Sequence, residues 1–168
     1  MKNLIILLLV IFSLNSHLHS QIYKNTLMVG GSLSFNNAKN GTGATSSSFQ
    51  ASPMLGYFFA DNFAGGLQVT LSSYKFSSSV SNSYTSFSPF VRYYLKNIFI
   101  QLRYNYNRSN IANSSAHSFS TMGTDIGYAV FFNDNVAMEP AFYFNNGFKK
   151  NSGINYGFKI GLQVYLNR

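Results

Sequence analysis

The amino-acid sequence predicts an all-β fold, an eight-stranded antiparallel up-and-down transmembrane β-barrel over residues 21–168, preceded by a cleavable signal peptide over residues 1–20. Three observations predict it. After Gln21, eight runs of alternating apolar and small or polar residues follow one another in four pairs, and strand side chains alternate with period two. The connections between runs alternate short and long, which with an even run number is the pattern of a membrane barrel. Aromatic residues make up 17% of the chain and charged residues only 10%, far below the roughly 25% charged of soluble domains.

The first run, Thr26 to Phe35, sets Leu27, Val29, Leu33 and Phe35 against Thr26, Gly30, Ser32 and Ser34. Asn36 to Ser47 reads as a loop by composition. The second run sets Phe49, Ala51, Pro53, Leu55, Tyr57 and Phe59 against Gln50, Ser52, Met54 and Gly56, and Ala60-Asp61-Asn62 turns the chain. In the third, Phe63, Leu67, Val69 and Leu71 oppose Ala64, Gly66, Gln68, Thr70 and Ser72, before a serine-rich loop over Ser77 to Ser83. Runs four and five form a hairpin about Lys96-Asn97. Phe87, Pro89, Val91, Tyr93 and Leu95 share one face there, and Ser86, Ser88, Arg92 and Lys96 the other. Ile98, Ile100, Leu102, Tyr104 and Tyr106 likewise oppose Gln101, Arg103, Asn105 and Asn107, a pattern that a period of 3.6 would scatter around a helix.

A polar loop is expected over Arg108 to Ser118. Run six then sets Met122, Ile126, Tyr128, Val130 and Phe132 against Gly123, Asp125, Gly127 and Ala129, ending in the turn Asn133-Asp134-Asn135. Run seven opposes Val136, Met138, Pro140, Phe142 and Phe144 to Ala137, Glu139, Ala141, Tyr143 and Asn145. After the loop Asn146 to Gly153, run eight opposes Ile154, Tyr156, Phe158, Ile160, Leu162, Val164 and Leu166 to Asn155, Gly157, Lys159, Gly161 and Gln163.

Side-chain size decides which face is inside. An eight-stranded barrel has room only for its own side chains, and the set rich in Gly, Ala and Ser is the smaller one. The large apolar set therefore faces lipid, with Ile100 at the middle of the band, and Gln101 on the opposite face is expected to accept a small polar residue such as Ser. The glycine pairs Gly30-Gly31 and Gly65-Gly66 read as relief of strand curvature.

Lys2, the apolar run Leu4 to Leu14 and the polar end Ser16 to Ser20 make the signal peptide. That run, about 11 residues, is shorter than the roughly 20 a membrane helix needs. Without Lys2 the formal charge of +8 falls to +7. The chain has no cysteine, which excludes disulfides, thiolate metal sites and a Cys nucleophile.

With segments such as PMLGYFFADNFAGGLQV and SFSPFVRYYLKN, the chain resembles the small outer-membrane β-barrel family of OmpA/OmpX type over Asn25 to Leu166. The resemblance implies a multi-pass barrel in the Gram-negative cell outer membrane. Its termini and short turns would be periplasmic, its long loops extracellular, and its insertion the work of the barrel assembly machinery. Members of the family usually end on an aromatic residue, whereas this chain ends Val164-Tyr165-Leu166-Asn167-Arg168. The family's shared scaffold serves many roles and does not itself specify an activity.

Arg92, Arg103, Asp125, Glu139 and Lys159 share the inner face, where buried charges need partners. They are expected to form one ion-pair network that plugs the lumen, the alternative being a proton or ion path. Lys39, Lys75, Arg108, Lys149 and Lys150 are expected in the long loops, with no acid among them, placed to contact lipopolysaccharide phosphates or an acidic surface of a host or neighbouring cell. Nucleic acid is not an expected partner, because the aromatics are committed to lipid. A monomer is expected. No catalytic, cofactor-binding or metal site is assigned. His117 is the only imidazole after residue 20, and the second residue after it is Phe119, so the His-x-Ser motif of outer-membrane lipid A deacylases is unmatched. A lipid-modifying barrel enzyme using His117 and an exported soluble barrel holding a small apolar ligand are the alternative readings.

Overall fold

Alternation and an abundance of β-branched and aromatic residues favour extended backbone, and lipid demands that every strand be paired on both sides. The computed structural model describes residues 22–39, 45–76, 81–110, 117–148 and 154–167. Its strands are β1 (Leu27–Lys39), β2 (Thr45–Ala60), β3 (Phe63–Phe76), β4 (Ser81–Leu95), β5 (Ile98–Asn110), β6 (His117–Tyr128), β7 (Val130–Phe131), β8 (Val136–Gly147) and β9 (Ile154–Leu166). From β1 to β6 each strand pairs antiparallel with the next, β6 and β7 both pair with β8, β8 pairs with β9, and β9 closes on β1. The two-residue β7 continues the line of β6 beyond Ala129 along the same face of β8. Nine segments thus form a closed antiparallel barrel of eight strands.

Several strands run further than their apolar patterns. β2 has 16 residues and β4 has 15, against the roughly 9–11 that cross a bilayer. Arg108 and His117, expected in a polar loop, lie in β5 and β6, where Arg108 pairs with Thr85 and Ser118, and His117 with Ser109. Lys39 and Lys75 fall within β1 and β3 rather than in loops. A ladder bond uses backbone groups alone, so pairing continues where the side chains have already turned polar.

The facing of the runs follows the alternation. Ile98, Ile100, Leu102, Tyr104 and Tyr106 point outward and are 44–52% exposed, while Gln101, Arg103, Asn105 and Asn107 are buried. Lys96 departs from the expected inner face: it is exposed in the turn at φ 57°, next to Asn97. The interior is also less uniformly small than the polar face suggests. Met28, Phe58, Phe90, Tyr94, Phe99, Phe131 and Tyr165 are all buried there.

Glycines on facing strands make the space for these rings. A Cβ at Gly66 would stand 2.7 Å from Phe90 Cζ, and one at Gly127 would stand 2.5 Å from Phe99 Cζ. Gly66 therefore serves to admit Phe90, a role beyond the curvature expected of the Gly65-Gly66 pair. Large side chains on β4 and β5 are thus accommodated by small ones on β3 and β6, which is how a narrow interior reaches close packing.

Each proline sits on the lipid face beside a gap in one ladder. Pairing of β2 with β3 lapses between Ala51 and Met54, next to Pro53. That of β4 with β5 lapses between Phe87 and Phe90, next to Pro89. β8 loses its partner between Ala141 and Met138, next to Pro140. A residue without an N–H cannot complete the ladder on that side.

The short-turn end is closed by the segment that leads into β1. Ile22 and Thr26 are fully buried. The Ile22 N–H donates to Asn62 Oδ1 at 3.1 Å, and the Lys24 N–H donates to the Asp61 carboxylate at 2.8 Å. The turn acid thus holds a segment 37 residues away. At the third turn, Asn133 Oδ1 accepts from the N–H groups of Asn135 and Val136, the side-chain turn that Asn favours.

Ile100 tests the lipid-facing assignment. Ile100→Arg is expected to cost about 2–4 kcal/mol in refolding into lipid if the side chain lies near the midplane, whereas Ile100→Leu should refold with an unchanged urea midpoint.

Candidate functional site

The five charged residues expected on the inner face meet in the barrel interior, supplied by five strands: Arg92 from β4, Arg103 from β5, Asp125 from β6, Glu139 from β8 and Lys159 from β9, so that every strand from β4 onward but the short β7 contributes one.

Two clusters form. In the first, Arg92 Nη1 donates to Glu139 Oε2 at 2.7 Å. Tyr94 Oη and Tyr165 Oη lie 2.6 and 2.8 Å from Glu139 Oε1, and 2.8 Å from each other. Two phenol protons are therefore shared among three short contacts. Arg92 also donates from Nη1 to Tyr94 Oη and from Nε to Gln101 Oε1, each at 2.7 Å. Its guanidinium lies 4.3 Å from the centre of the Phe99 ring, within the distance at which a cation is attracted to a ring face. The thioethers of Met28 and Met54 stand 3.6 and 3.8 Å from its terminal nitrogens.

The second cluster is centred on Asp125. Its Oδ1 accepts from Arg103 Nη2 at 2.7 Å and its Oδ2 accepts from Lys159 Nζ at 2.8 Å. Arg103 also reaches Asn105 and Asn145, while Arg103 Nε has no hydrogen-bond partner. Asn105 and Asn107 both donate to Thr121 Oγ1, and the Tyr84 hydroxyl donates to Asn107 Oδ1. This polar layer leads toward the long-loop end.

Gln101 joins the clusters. Its carbonyl accepts from Arg92 Nε, and its amide donates to Asp125 Oδ2 at 3.1 Å and to Gln68 Oε1 at 3.4 Å. Gln101 is fully buried, and a Ser at this position could not span from Arg92 to Asp125. The tolerance expected for Gln101→Ser is therefore corrected: the residue is a link in the network, where an unsatisfied buried group costs about 1–3 kcal/mol.

Sequence reasoning placed the five charges but missed Tyr94, Tyr165 and Phe99, which hold Glu139 and Arg92. The signal was there in their parity, since each stands two residues from an inner-facing polar residue. Among the described residues, no group of three or more His, Asp or Glu side chains could hold a metal ion. His117 is exposed at the start of β6. Of the described acids, Asp125 and Glu139 are engaged in the interior, and Asp61 and Asp134 occupy turns at the opposite end. Of the expected rim cations, Arg108 is exposed on β5, Lys39 and Lys75 lie near the ends of β1 and β3, and Lys149 and Lys150 fall outside the described residues.

A closed barrel with an apolar outer wall and a polar interior defines the class by its fold: an eight-stranded antiparallel β-barrel with the architecture of small outer-membrane barrels. Among solved structures, the chain is similar to Neisserial surface protein A, with a TM-score of 0.59 and 15% identity over 83% of this chain and 94% of that one. It is also similar to the outer membrane protein OprG from Pseudomonas aeruginosa, with a TM-score of 0.59 and 11% identity over 87% and 98% of the two chains. The N-terminal β-barrel domain of Pseudomonas aeruginosa OprF gives 0.51 and 14% over 85% and 98%. At these identities the likeness is one of fold. No protein-family model and no curated protein matches the chain.

Two substitutions probe the network. Glu139→Gln leaves the Arg92 charge buried against a neutral group, and breaking such a pair typically costs about 3–5 kcal/mol. Gln101→Ser should cost about 1–3 kcal/mol, more than Gln101→Glu costs in an Asp125→Asn background, as read from urea midpoints in detergent.

Proposed function

We propose that this protein is a small monomeric outer-membrane barrel with a structural and cell-surface interaction role, acting through a cationic rim at the long-loop end and conducting no wide stream of solute. The observation that carries this reading is the lumen: Arg92, Gln101, Glu139, Tyr94 and Tyr165 bond to one another across it, where an open pore would need water. The short turns and the buried segment from Ile22 lie at the other end, consistent with periplasmic termini and with delivery by the barrel assembly machinery.

The rim is argued from charge. Lys39, Lys75 and Arg108 stand near the long-loop ends of β1, β3 and β5, Lys149 and Lys150 follow β8 in the sequence, and all four acids are spent in the lumen or the short turns. A surface of that sign fits the phosphates of lipopolysaccharide. A catalytic role for His117 is disfavoured by the distance in the fold from any free carboxylate and by the unmatched motif. A soluble ligand carrier is disfavoured because the interior is taken up by side chains and the outer wall is apolar.

Two measurements test the proposal. The pure protein in planar bilayers should show no sustained large-conductance openings, and stable porin-like currents would defeat it. Binding to lipopolysaccharide should weaken as salt shortens the screening length from about 10 Å at 0.1 M to about 3 Å at 1 M. Replacing the five rim cations by Gln should abolish the binding, and salt-independent binding that survives those replacements would exclude the rim.

A further inference from the structure

The outer wall carries a feature that neither the lumen nor the charged rim accounts for. Beside Pro89, where β4 and β5 lose their pairing between Phe87 and Phe90, the wall sinks into a groove of about 300 Å³. It is lined by Pro89, Phe90 and Val91 from β4, Leu102 and Tyr104 from β5, and Met122 from β6, with Arg103, whose guanidinium is turned inward to Asp125. Val91, Leu102, Tyr104 and Met122 are 44–46% exposed and face the membrane. The volume is at the lower end of the roughly 300–1,000 Å³ of ligand pockets, suited to one hydrocarbon chain.

The same strand carries a cation above it. On β5 the outward series runs from Leu102 through Tyr104 and Tyr106 to Arg108, which is exposed. Between groove and cation, Tyr104 Oη donates to Ser120 Oγ at 2.9 Å and the Tyr104 ring lies 6.0 Å from that of Phe148. Tyr104, with an apolar ring and a hydrogen-bonded tip, suits the boundary between hydrocarbon and headgroups. At about 3.4 Å per residue, Arg108 stands about 13–20 Å along the strand from Tyr104 and Leu102, or about 10–15 Å in depth at a tilt of about 40°. One leaflet's hydrocarbon is about 15 Å deep. A phosphate held at Arg108 therefore lets an attached acyl chain reach the groove.

We infer that the β4–β5–β6 wall is a lipid-binding site that seats one acyl chain of lipopolysaccharide in the Pro89 groove while Arg108 holds a phosphate of the same molecule. The inference rests on the proposed lipopolysaccharide-binding rim and adds to it a second contact of different chemistry. Charge pairing at Arg108 supplies the attraction, and the groove selects for an acylated partner.

The test uses the full refolded protein in detergent and two probes, acylated lipopolysaccharide and its fully deacylated phosphosaccharide. The double variant Val91→Phe/Met122→Phe fills the groove, and Leu162→Phe places the same ring elsewhere on the lipid face. The filled variant should bind acylated lipopolysaccharide at least about tenfold more weakly, the loss of roughly two buried methylene groups. It should bind the phosphosaccharide as the wild type does, and Leu162→Phe should change neither. Arg108→Ala should weaken both. Unchanged binding of acylated lipopolysaccharide by the filled variant overturns the groove and leaves the rim standing. Failure of the wild type to bind either probe overturns both readings. Displacement of bound lipopolysaccharide by equimolar phosphatidylglycerol overturns the assignment to lipopolysaccharide.

Discussion

Arg92 is the side chain on which the interior depends. A guanidinium cannot be neutralised at any ordinary pH, and this one is 2% exposed, so its surroundings must meet the charge in full. Glu139 meets it directly, Tyr94 and Gln101 accept from it, and the Phe99 ring lies against it. These partners come from three strands, and each has a further obligation: Glu139 to Tyr165, and Gln101 to Asp125. Satisfying one buried cation therefore ties together most of the barrel's circumference.

The same constraint explains the distribution of size. The lumen of eight strands must hold Arg92, Tyr94, Tyr165, Phe90 and Phe99, so the facing walls are cut back to Gly56, Gly66, Ala137, Ala141 and Gly161. Rings fill the short-turn half, while Asn105, Asn107 and Thr121 make the half toward the long loops polar. Three cations face two carboxylates in the interior, and the second cluster, with two cations on one Asp125, carries the surplus. Its Arg103 Nε is also a buried donor without a hydrogen-bond partner, so this cluster is the less fully satisfied of the two.

The barrel and the facing of its strands were legible because alternation records which side meets lipid. Leu67, Val69 and Leu71 face outward and Gln68, Thr70 and Ser72 inward on β3 by that rule alone. The five charges were legible for a related reason: within the hydrocarbon band a charged side chain on a strand has only the inner face to occupy. Tyr94 and Phe99 were not, because an aromatic residue on the inner face looks like a lapse in the pattern rather than a part of it. Gln101 was read as replaceable because parity gives its side and not its partners. Strand ends were underestimated at Arg108 and His117, since ladder bonds ignore side-chain polarity, and the gaps beside Pro53, Pro89 and Pro140 depend on which neighbour each missing N–H faces.

The central claim, that the two ion clusters form one network through Gln101, is tested most directly by a double-mutant cycle between Glu139→Gln and Asp125→Asn, read as unfolding free energies in the same detergent. Groups that act through a shared network show interaction energies of about 0.5–3 kcal/mol, and independent ones add within about 0.3–0.5 kcal/mol. The network predicts non-additivity above that limit, falling to additivity when the cycle is repeated in a Gln101→Leu background. Additive losses in the wild-type background would contradict it.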